Sequence, residues 1–151
     1  MTRDEVMAMT DDELRVKAAE LMGWRFIGVL PVPGSLGESS YRTWEGEYGI
    51  VATIESDQPN LTKDNYLPDY PNDIAAAWEL FDIMSRAGKW PMLAGWCPCA
   101  DTERQEDCAE PFSCGFSVDA SDDNTDEVFA ASGAKAITRA FILAMEANDG
   151  A

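Results

Sequence analysis

Residues 67–84 constrain the fold more than any other segment, because a helix start is followed directly by an apolar stripe. Pro68 and Pro71 hold φ at about −65° and turn the preceding residues away from the α region. Asp69 and Asn72 can accept the unpaired N–H groups of a first turn, which Asp73 also suits. Apolar residues then recur at helical spacing and predict one buried face: Ile74, Ala77, Trp78, Phe81 and Met84.

Helices are also predicted near both ends of the chain. Residues 2–5 and 10–13 are capping boxes, each a Thr followed three positions later by a Glu, and such pairs satisfy the N–H groups of a helix start. The better of these two helices is predicted over 11–22, ending at the glycine that follows. The last helix is predicted to begin at Thr125 or Ser132 and to end at 147.

Extended segments lie between these helices. Strands are predicted over 24–32, 41–45, 48–55, 89–96 and 112–120, the last with a regular alternation of apolar and polar residues. Strands placed between helices are typical of an α+β fold with an antiparallel or mixed sheet sandwiched between helices. The length of 151 residues and the absence of a linker predict a single domain over 1–151.

The formal net charge of −17 arises from 28 acidic and 11 basic residues. Binding to nucleic acid requires a basic surface, so nucleic acid is not an expected partner. Two interpretations remain for the acidic surface. The favoured one is solubility, and the other is imitation of a nucleic acid that occupies a basic groove on a host protein.

The composition argues against a membrane protein and against the commonest enzymes. No apolar run approaches the roughly 20 residues that span a bilayer, and the first residues lack the order of a signal peptide. The chain contains no His, which excludes Ser–His and Cys–His nucleophile pairs. Since P-loop and nucleophile-elbow motifs are absent too, we predict a cytosolic protein that is not an enzyme.

The cysteines lie together, in the segment 97–114. Their spacing is a poor match to the paired C-x₂-C arrangement that Zn²⁺ prefers. We predict no cofactor. A structural zinc ion and a labile disulfide remain as alternatives to reduced thiols, which are favoured in the cytosol. The four candidate metal ligands are Cys97, Cys99, Cys108 and Cys114.

Three segments, 18–24, 67–80 and 134–143, resemble the phage ABA-sandwich domain family, and they follow one another in the order expected for that family. The resemblance implies a helix–sheet–helix sandwich encoded in a phage genome, and therefore a protein of the host cytoplasm. It implies no settled activity. The insertion at 97–114 departs from the family pattern and could hold a specialised function.

A small set of residues could bind a phosphate-bearing ligand. Lys135 and Arg139 lie one turn apart on the last helix and could clamp a phosphate, since Arg offers a planar fork. Trp44 could stack on a base, and Tyr70 is the fourth predicted ligand-binding residue. The alternatives are ordinary salt bridges for the cations and core packing for the aromatic residues.

Three functions follow, in order of preference. The first is a non-enzymatic phage protein that sequesters a small nucleotide-type signal and so antagonises host defence. The second is an acidic protein that binds and blocks a host defence protein, and the third is a structural phage protein without a ligand. We predict a homo-oligomer, because such ligand sites often form between subunits. The substitution Arg139→Glu is expected to abolish nucleotide binding with little change in melting temperature.

Overall fold

Helices and short antiparallel strands follow one another along the chain in the computed structural model. The structure describes residues 1–31, 40–47, 51–54, 66–94, 110–117 and 127–149, and the statements below refer to these ranges. The elements in chain order are α1 (Arg3–Ala8), α2 (Asp11–Leu21), β1 (Arg25–Pro31), β2 (Ser40–Glu45), β3 (Val51–Ala52), α3 (Ile74–Arg86), β4 (Trp90–Ala94), β5 (Phe112–Ser117), β6 (Val128–Ala130) and α4 (Gly133–Asp149).

The predicted α+β class is confirmed, and the strands form two antiparallel sheets of three strands each. The strand order is β1-β2-β3 in the first sheet and β4-β5-β6 in the second. The chain divides into two compact units, one made of Met1–Ala18 with Asp69–Ala151 and the other of Ala19–Pro68. The single domain over 1–151 remains a prediction.

Both predicted capping boxes are present. The Thr2 hydroxyl accepts a hydrogen bond from the Glu5 N–H group, and the Glu5 carboxylate accepts one from the Thr2 N–H group at 2.6 Å. Thr10 and Glu13 make the same reciprocal pair at 3.3 and 2.7 Å. These bonds satisfy N–H groups that have no partner inside the helix, which is why α1 and α2 begin where the sequence predicts.

The predicted glycine stop is confirmed at Gly23, and Gly88 ends α3 in the same way. Their φ values are 93° and 77°, in the left-handed region that disfavours residues with a Cβ atom. The following N–H groups turn back to the helix: Trp24 donates to the Ala19 carbonyl at 2.9 Å, and Lys89 donates to the Met84 carbonyl at 3.0 Å. This is the Schellman arrangement, and it satisfies the last carbonyls of α2 and α3.

The capping carboxylates predict a defined response to acid. Hydrogen bonds from the Thr10 backbone and hydroxyl lower the pKa of Glu13 below its ordinary value of 4.5. A carboxyl whose pKa is lowered by folding stabilises the folded state above the unfolded pKa, and this stabilisation is lost as pH falls through the folded pKa. We expect the Glu13→Gln variant to be less stable than wild type at about pH 7, and we expect this difference to be smaller at about pH 3.

Urea unfolding of both proteins at the two pH values measures this effect. The comparison with wild type is needed because acid also relieves the repulsion among the other carboxylates. A stability difference of the same size at both pH values would contradict the capping role.

The buried face of α3 differs from the predicted face. The helix buries Ala77, Leu80 and Met84, whereas Trp78 is 45% exposed and Ile74 is exposed as well. The prediction of Trp78 as a core residue is therefore wrong. Its ring contacts Phe81 edge-on at 4.6 Å between centroids, so one side of the indole is packed and the other is open. Apolar spacing predicts that this segment is a helix. Contacts with the neighbouring elements determine which face of the helix is buried.

The helix cap also lies later than predicted. Asp73 is the N-cap of α3 and accepts a hydrogen bond from the Ala75 N–H group at 2.9 Å. The side chains of Asp69 and Asn72 bond to each other instead, at 3.0 Å. They belong to the turn that precedes the helix, whose backbone bonds run from Asn72 and Asp73 to the Asp69 carbonyl.

The chain before the last helix contains a strand that the sequence interpretation missed. Strand β6 pairs antiparallel with β5 through Val128, Phe129 and Ala130. A helix beginning at Thr125 is therefore wrong, and the start near Ser132 is the better alternative. The Ser132 hydroxyl accepts a hydrogen bond from the Lys135 N–H group at 3.2 Å. Three residues are too few for a periodic pattern, so only the pairing with β5 defines this strand.

Helix α4 is the centre of the unit that holds both chain ends. It packs against α1, α3 and all three strands of the second sheet. Its buried apolar residues are Ala134, Ala136, Ile137, Ala140, Phe141, Ile142 and Leu143. The side chains of Ile137 and Phe141 face inward, and α4 is buried over much of its circumference because it has neighbours on several sides.

Candidate functional site

Arg139 lies inside the unit, where only 5% of it is exposed. Its Nη2 donates to the Met7 carbonyl at 2.9 Å, and its Nη1 donates to the Phe129 carbonyl and to the Glu110 carboxylate. These bonds tie α4 to the last turn of α1 and to β6. The carbonyls at a helix C-terminus favour a cation. The arrangement makes Arg139 an internal cross-link, with its terminal nitrogens bonded to groups of this chain.

Lys135 is also paired within the chain. Its Nζ lies 2.6 Å from the Asp11 carboxylate at the start of α2. Lys135 and Arg139 are therefore brought onto one helix as predicted, but their partners are internal acids and carbonyls. The ordinary salt-bridge alternative describes both residues, and the phosphate clamp stays a prediction.

The same holds for the other cations of the described part of the chain. Lys63 and Arg104 lie outside the described residues, and each of the nine remaining Lys and Arg side chains contacts another group of the chain. Ion pairs between described residues include Lys17–Glu146, Arg25–Glu45, Arg86–Asp82, Lys135–Asp11 and Arg139–Glu110. In this acidic chain, the described Lys and Arg side chains therefore contact other groups of the same chain.

Tyr70, the predicted ligand-binding tyrosine, is a buried residue. Burial raises the pKa of its hydroxyl to about 12, and the negative charge of Glu79 acts in the same direction. The phenol is therefore neutral at physiological pH. Tyr70 follows the first proline of the 67–80 segment, and its ring contributes to the core from that turn.

Trp44, the predicted stacking residue, is 2% exposed and lies in the other unit. The Phe26 ring meets it at an angle, 5.3 Å between centroids, and the Arg42 guanidinium lies 5.9 Å from its centre. So deeply buried a ring offers little face to a nucleobase. Among the described residues no acceptor bonds its Nε1–H group. The ring belongs to the core under the β1-β2-β3 sheet.

The metal site cannot be assembled from the described residues, since Cys97, Cys99 and Cys108 lie outside them. Cys114 is a buried free thiol on β5, and burial raises its pKa to about 12. Cys114 therefore packs as a small core residue. Within the described ranges there is no cluster of three metal-ligating side chains, and the zinc alternative stays a prediction.

Strand β1 carries a feature that the sequence interpretation missed. Four large apolar side chains stand exposed along it, between 42% and 57% of each: Phe26, Ile27, Val29 and Leu30. Because consecutive residues of a strand point to opposite faces, apolar groups are exposed on both sides of the sheet. Monomeric proteins expose single apolar residues often and contiguous apolar patches rarely, so this strand is the strongest candidate for a binding surface.

The outer side of β1 is open to another strand. β1 is the first strand of the β1-β2-β3 order, and no described strand pairs with its outer side. We call this outer side, from Arg25 to Pro31, the β1 edge. The register passes from Phe26 opposite Trp44 to Gly28 opposite Thr43, which leaves Ile27 as a β-bulge. Gly28 has a φ of 135°, which a residue with a side chain rarely adopts.

Two further bonds hold the β1 edge in place. The Thr43 hydroxyl donates to the Gly28 carbonyl at 2.8 Å, and the Arg25 guanidinium pairs with Glu45 on β2. At the far end of β2, Gly46 lets the Trp24 ring lie directly on the backbone, because a Cβ atom at this position would come within 2.9 Å of that ring. The strand is thus anchored on its inner side.

Comparisons with protein-family models, with curated proteins and with solved structures find no match for this chain. The resemblance to the phage ABA-sandwich domain family therefore stays a prediction. Of the described helices, none combines the length and the apolar composition that crossing a bilayer requires.

The β1 edge could have been suspected from the sequence, since residues 26–30 are apolar without alternation. Such a run is equally typical of a buried strand, so the sequence alone does not show that these residues are exposed.

Proposed function

We propose that this protein is a non-enzymatic, acidic protein that binds and blocks a host protein, with the β1 edge as its binding surface. The observation that carries the proposal is the exposure of four large apolar side chains on one edge strand. An edge strand with unpaired backbone groups and exposed apolar side chains is a ready template for another chain. Neither nucleic acid nor a membrane is proposed as a partner.

The charges of the described residues support a protein partner over a small nucleotide. A bound phosphate needs cations that are free to meet it, because burying an unpaired charge is costly. The terminal nitrogens of Arg139 and the Lys135 ammonium bond to groups of this chain. Sequestration of a nucleotide therefore ranks second, although it ranks first when the sequence is considered alone.

The host defence part of the proposal rests on the resemblance of 18–24, 67–80 and 134–143 to the phage family. A protein encoded by a phage works in the host cytoplasm and needs no catalytic group to block a host component. The charge of −17 fits this role. It speeds and orients encounters with a basic surface and disfavours encounters with acidic ones.

Purification from a bacterial host, followed by heat denaturation, tests the proposal. We expect a host protein to co-purify at a fixed ratio with the wild type and to be lost in the Val29→Lys variant, which places a charge on the β1 edge. The matched control is Met92→Lys, a change at an equally exposed apolar residue of the other sheet. Release of an ultraviolet-absorbing small molecule, with no co-purifying protein, would instead favour sequestration.

A further inference from the structure

We propose that the β1 edge binds an extended segment of the partner protein, apolar at its centre and flanked by Lys or Arg, which adds a fourth strand to the β1-β2-β3 sheet. This inference rests on the proposed function and specifies the chemistry of the partner. The occupant is one linear segment, recognised by its backbone and by its charge.

The backbone part of the argument comes from the strand order. The inner side of β1 pairs with β2 over the whole strand, from Arg25 opposite Glu45 to Pro31 opposite Ser40. In a strand, the N–H and C=O groups alternate between the two sides. β2 pairs with one side of β1, and no described strand pairs with the groups on the other side. A segment in extended conformation satisfies these groups with main-chain hydrogen bonds.

The side chains explain why the centre of the segment is apolar. Val29 lies opposite Arg42 and Leu30 lies opposite Tyr41, so these two residues project from opposite faces of the sheet. A strand added beside β1 places its own side chains next to both. Apolar residues on both faces of the added strand cover Val29 and Leu30 together, whereas an alternating polar strand covers one of them.

The charges explain why the segment is basic at its ends and why it is not a second copy of this chain. The unit that contains the β1 edge has seven acidic and three basic residues in its sequence, and the whole chain has a net charge of −17. Two of these three cations, Arg25 and Arg42, already contact groups of the same sheet. A basic segment is attracted to a chain of this net charge, and a second copy of the chain is repelled by it.

The β1 edge itself limits how the segment can pair. The bulge at Ile27 and Pro31 at the end of the strand interrupt regular pairing. Only a short run of residues can therefore be added. A contact of this size is smaller than a standard protein interface, so we expect a dissociation constant on the order of micromolar.

The probe for this inference is a capped peptide with the centre Val-Ile-Val-Ile-Val and two Lys residues at each end, titrated into the full-length protein by calorimetry. We expect it to bind, and to bind more weakly as salt is raised. A peptide with Glu in place of every Lys is expected to bind at least about tenfold more weakly. A Lys-flanked peptide that is N-methylated at every residue of its centre is expected not to bind, because these central residues have no N–H groups to pair.

Protein variants locate the site. Val29→Lys is expected to weaken binding of the Lys-flanked peptide at least about tenfold, whereas Val29→Thr, which keeps strand propensity, weakens it less. Met92→Lys is the control and is expected to bind as wild type does. Circular dichroism verifies that each variant is folded.

Several results would overturn the inference. Equal binding of the Lys-flanked and Glu-flanked peptides would remove the charge argument, and equal binding of the N-methylated peptide would remove strand pairing. A dimer that forms in wild type and is lost in Val29→Lys would make a second copy the occupant. If no peptide binds but a host protein still co-purifies in a Val29-dependent manner, this inference fails and the proposed function stands. If neither occurs, both fail.

Discussion

Replacing Arg139 with Met is expected to lower the free energy of unfolding by about 2–4 kcal/mol, because the variant cannot make the three hydrogen bonds that the buried guanidinium donates. The variant keeps a long apolar stem but leaves the carbonyls of Met7 and Phe129 without their donors. Glu110 loses its cation as well. Buried acceptors without a partner each cost about 1–3 kcal/mol. Urea unfolding followed by circular dichroism measures the change.

Lys135→Met is the matched control for Arg139→Met. It lies one turn earlier on α4 and pairs with Asp11, but this pair is partly exposed. Ion pairs of this kind contribute about 0–1 kcal/mol, so Lys135→Met is expected to unfold near the wild-type urea concentration. Equal effects of the two substitutions would mean that Arg139 is not the internal cross-link described above. It would also restore the expectation that Arg139→Glu leaves the melting temperature almost unchanged.

Leu80→Ala is expected to destabilise the protein by about 2–5 kcal/mol. The Leu80 side chain is fully buried on the inner face of α3, so its truncation leaves a cavity. The loss combines the transfer free energy of the deleted groups with the dispersion contacts of the residues around the cavity. Thermal and urea unfolding both report it, and the variant is expected to keep its helical content at low temperature.

Trp78→Ala, two residues earlier on the same helix, is the comparison for Leu80→Ala. Trp78 is the larger side chain, but 45% of it is exposed and its packed side contacts the Phe81 ring. We expect a loss of about 1–2 kcal/mol, smaller than that of a fully buried aromatic residue. If Trp78→Ala proved the more costly change, the buried face of α3 would be the one that apolar spacing predicts.

Local interactions explain what could be predicted from the sequence. The Thr–Glu capping boxes, the glycine stops and the Ser132 start each depend on residues a few positions apart in the chain. Such bonds form wherever the segment is placed. The approximate helix positions could therefore be predicted from the sequence, and the α+β class could be predicted with them. Among the described strands, the sequence interpretation missed β6, which is three residues long and is defined by its pairing with β5.

The predicted ligand-binding residues show the opposite case. Arg139, Tyr70 and Trp44 have side chains that suit a phosphate or a base, and their chemistry alone does not say whether they face solvent. All three are buried. An arginine can serve as a ligand clamp or as a bridge between distant backbone carbonyls, and only the positions of Met7 and Phe129 decide between these roles.

The sequence by itself determined where α1 and α2 begin, where α2 ends, the absence of histidine chemistry and the acidic charge. The tertiary structure decided which faces are covered: that α3 buries Leu80 in place of Trp78, that Arg139 is internal, and that the apolar residues of β1 are exposed. The physical reason is the range of the interactions. Caps and turns involve neighbours in the chain, whereas burial depends on segments far away in the sequence that meet only in the folded protein.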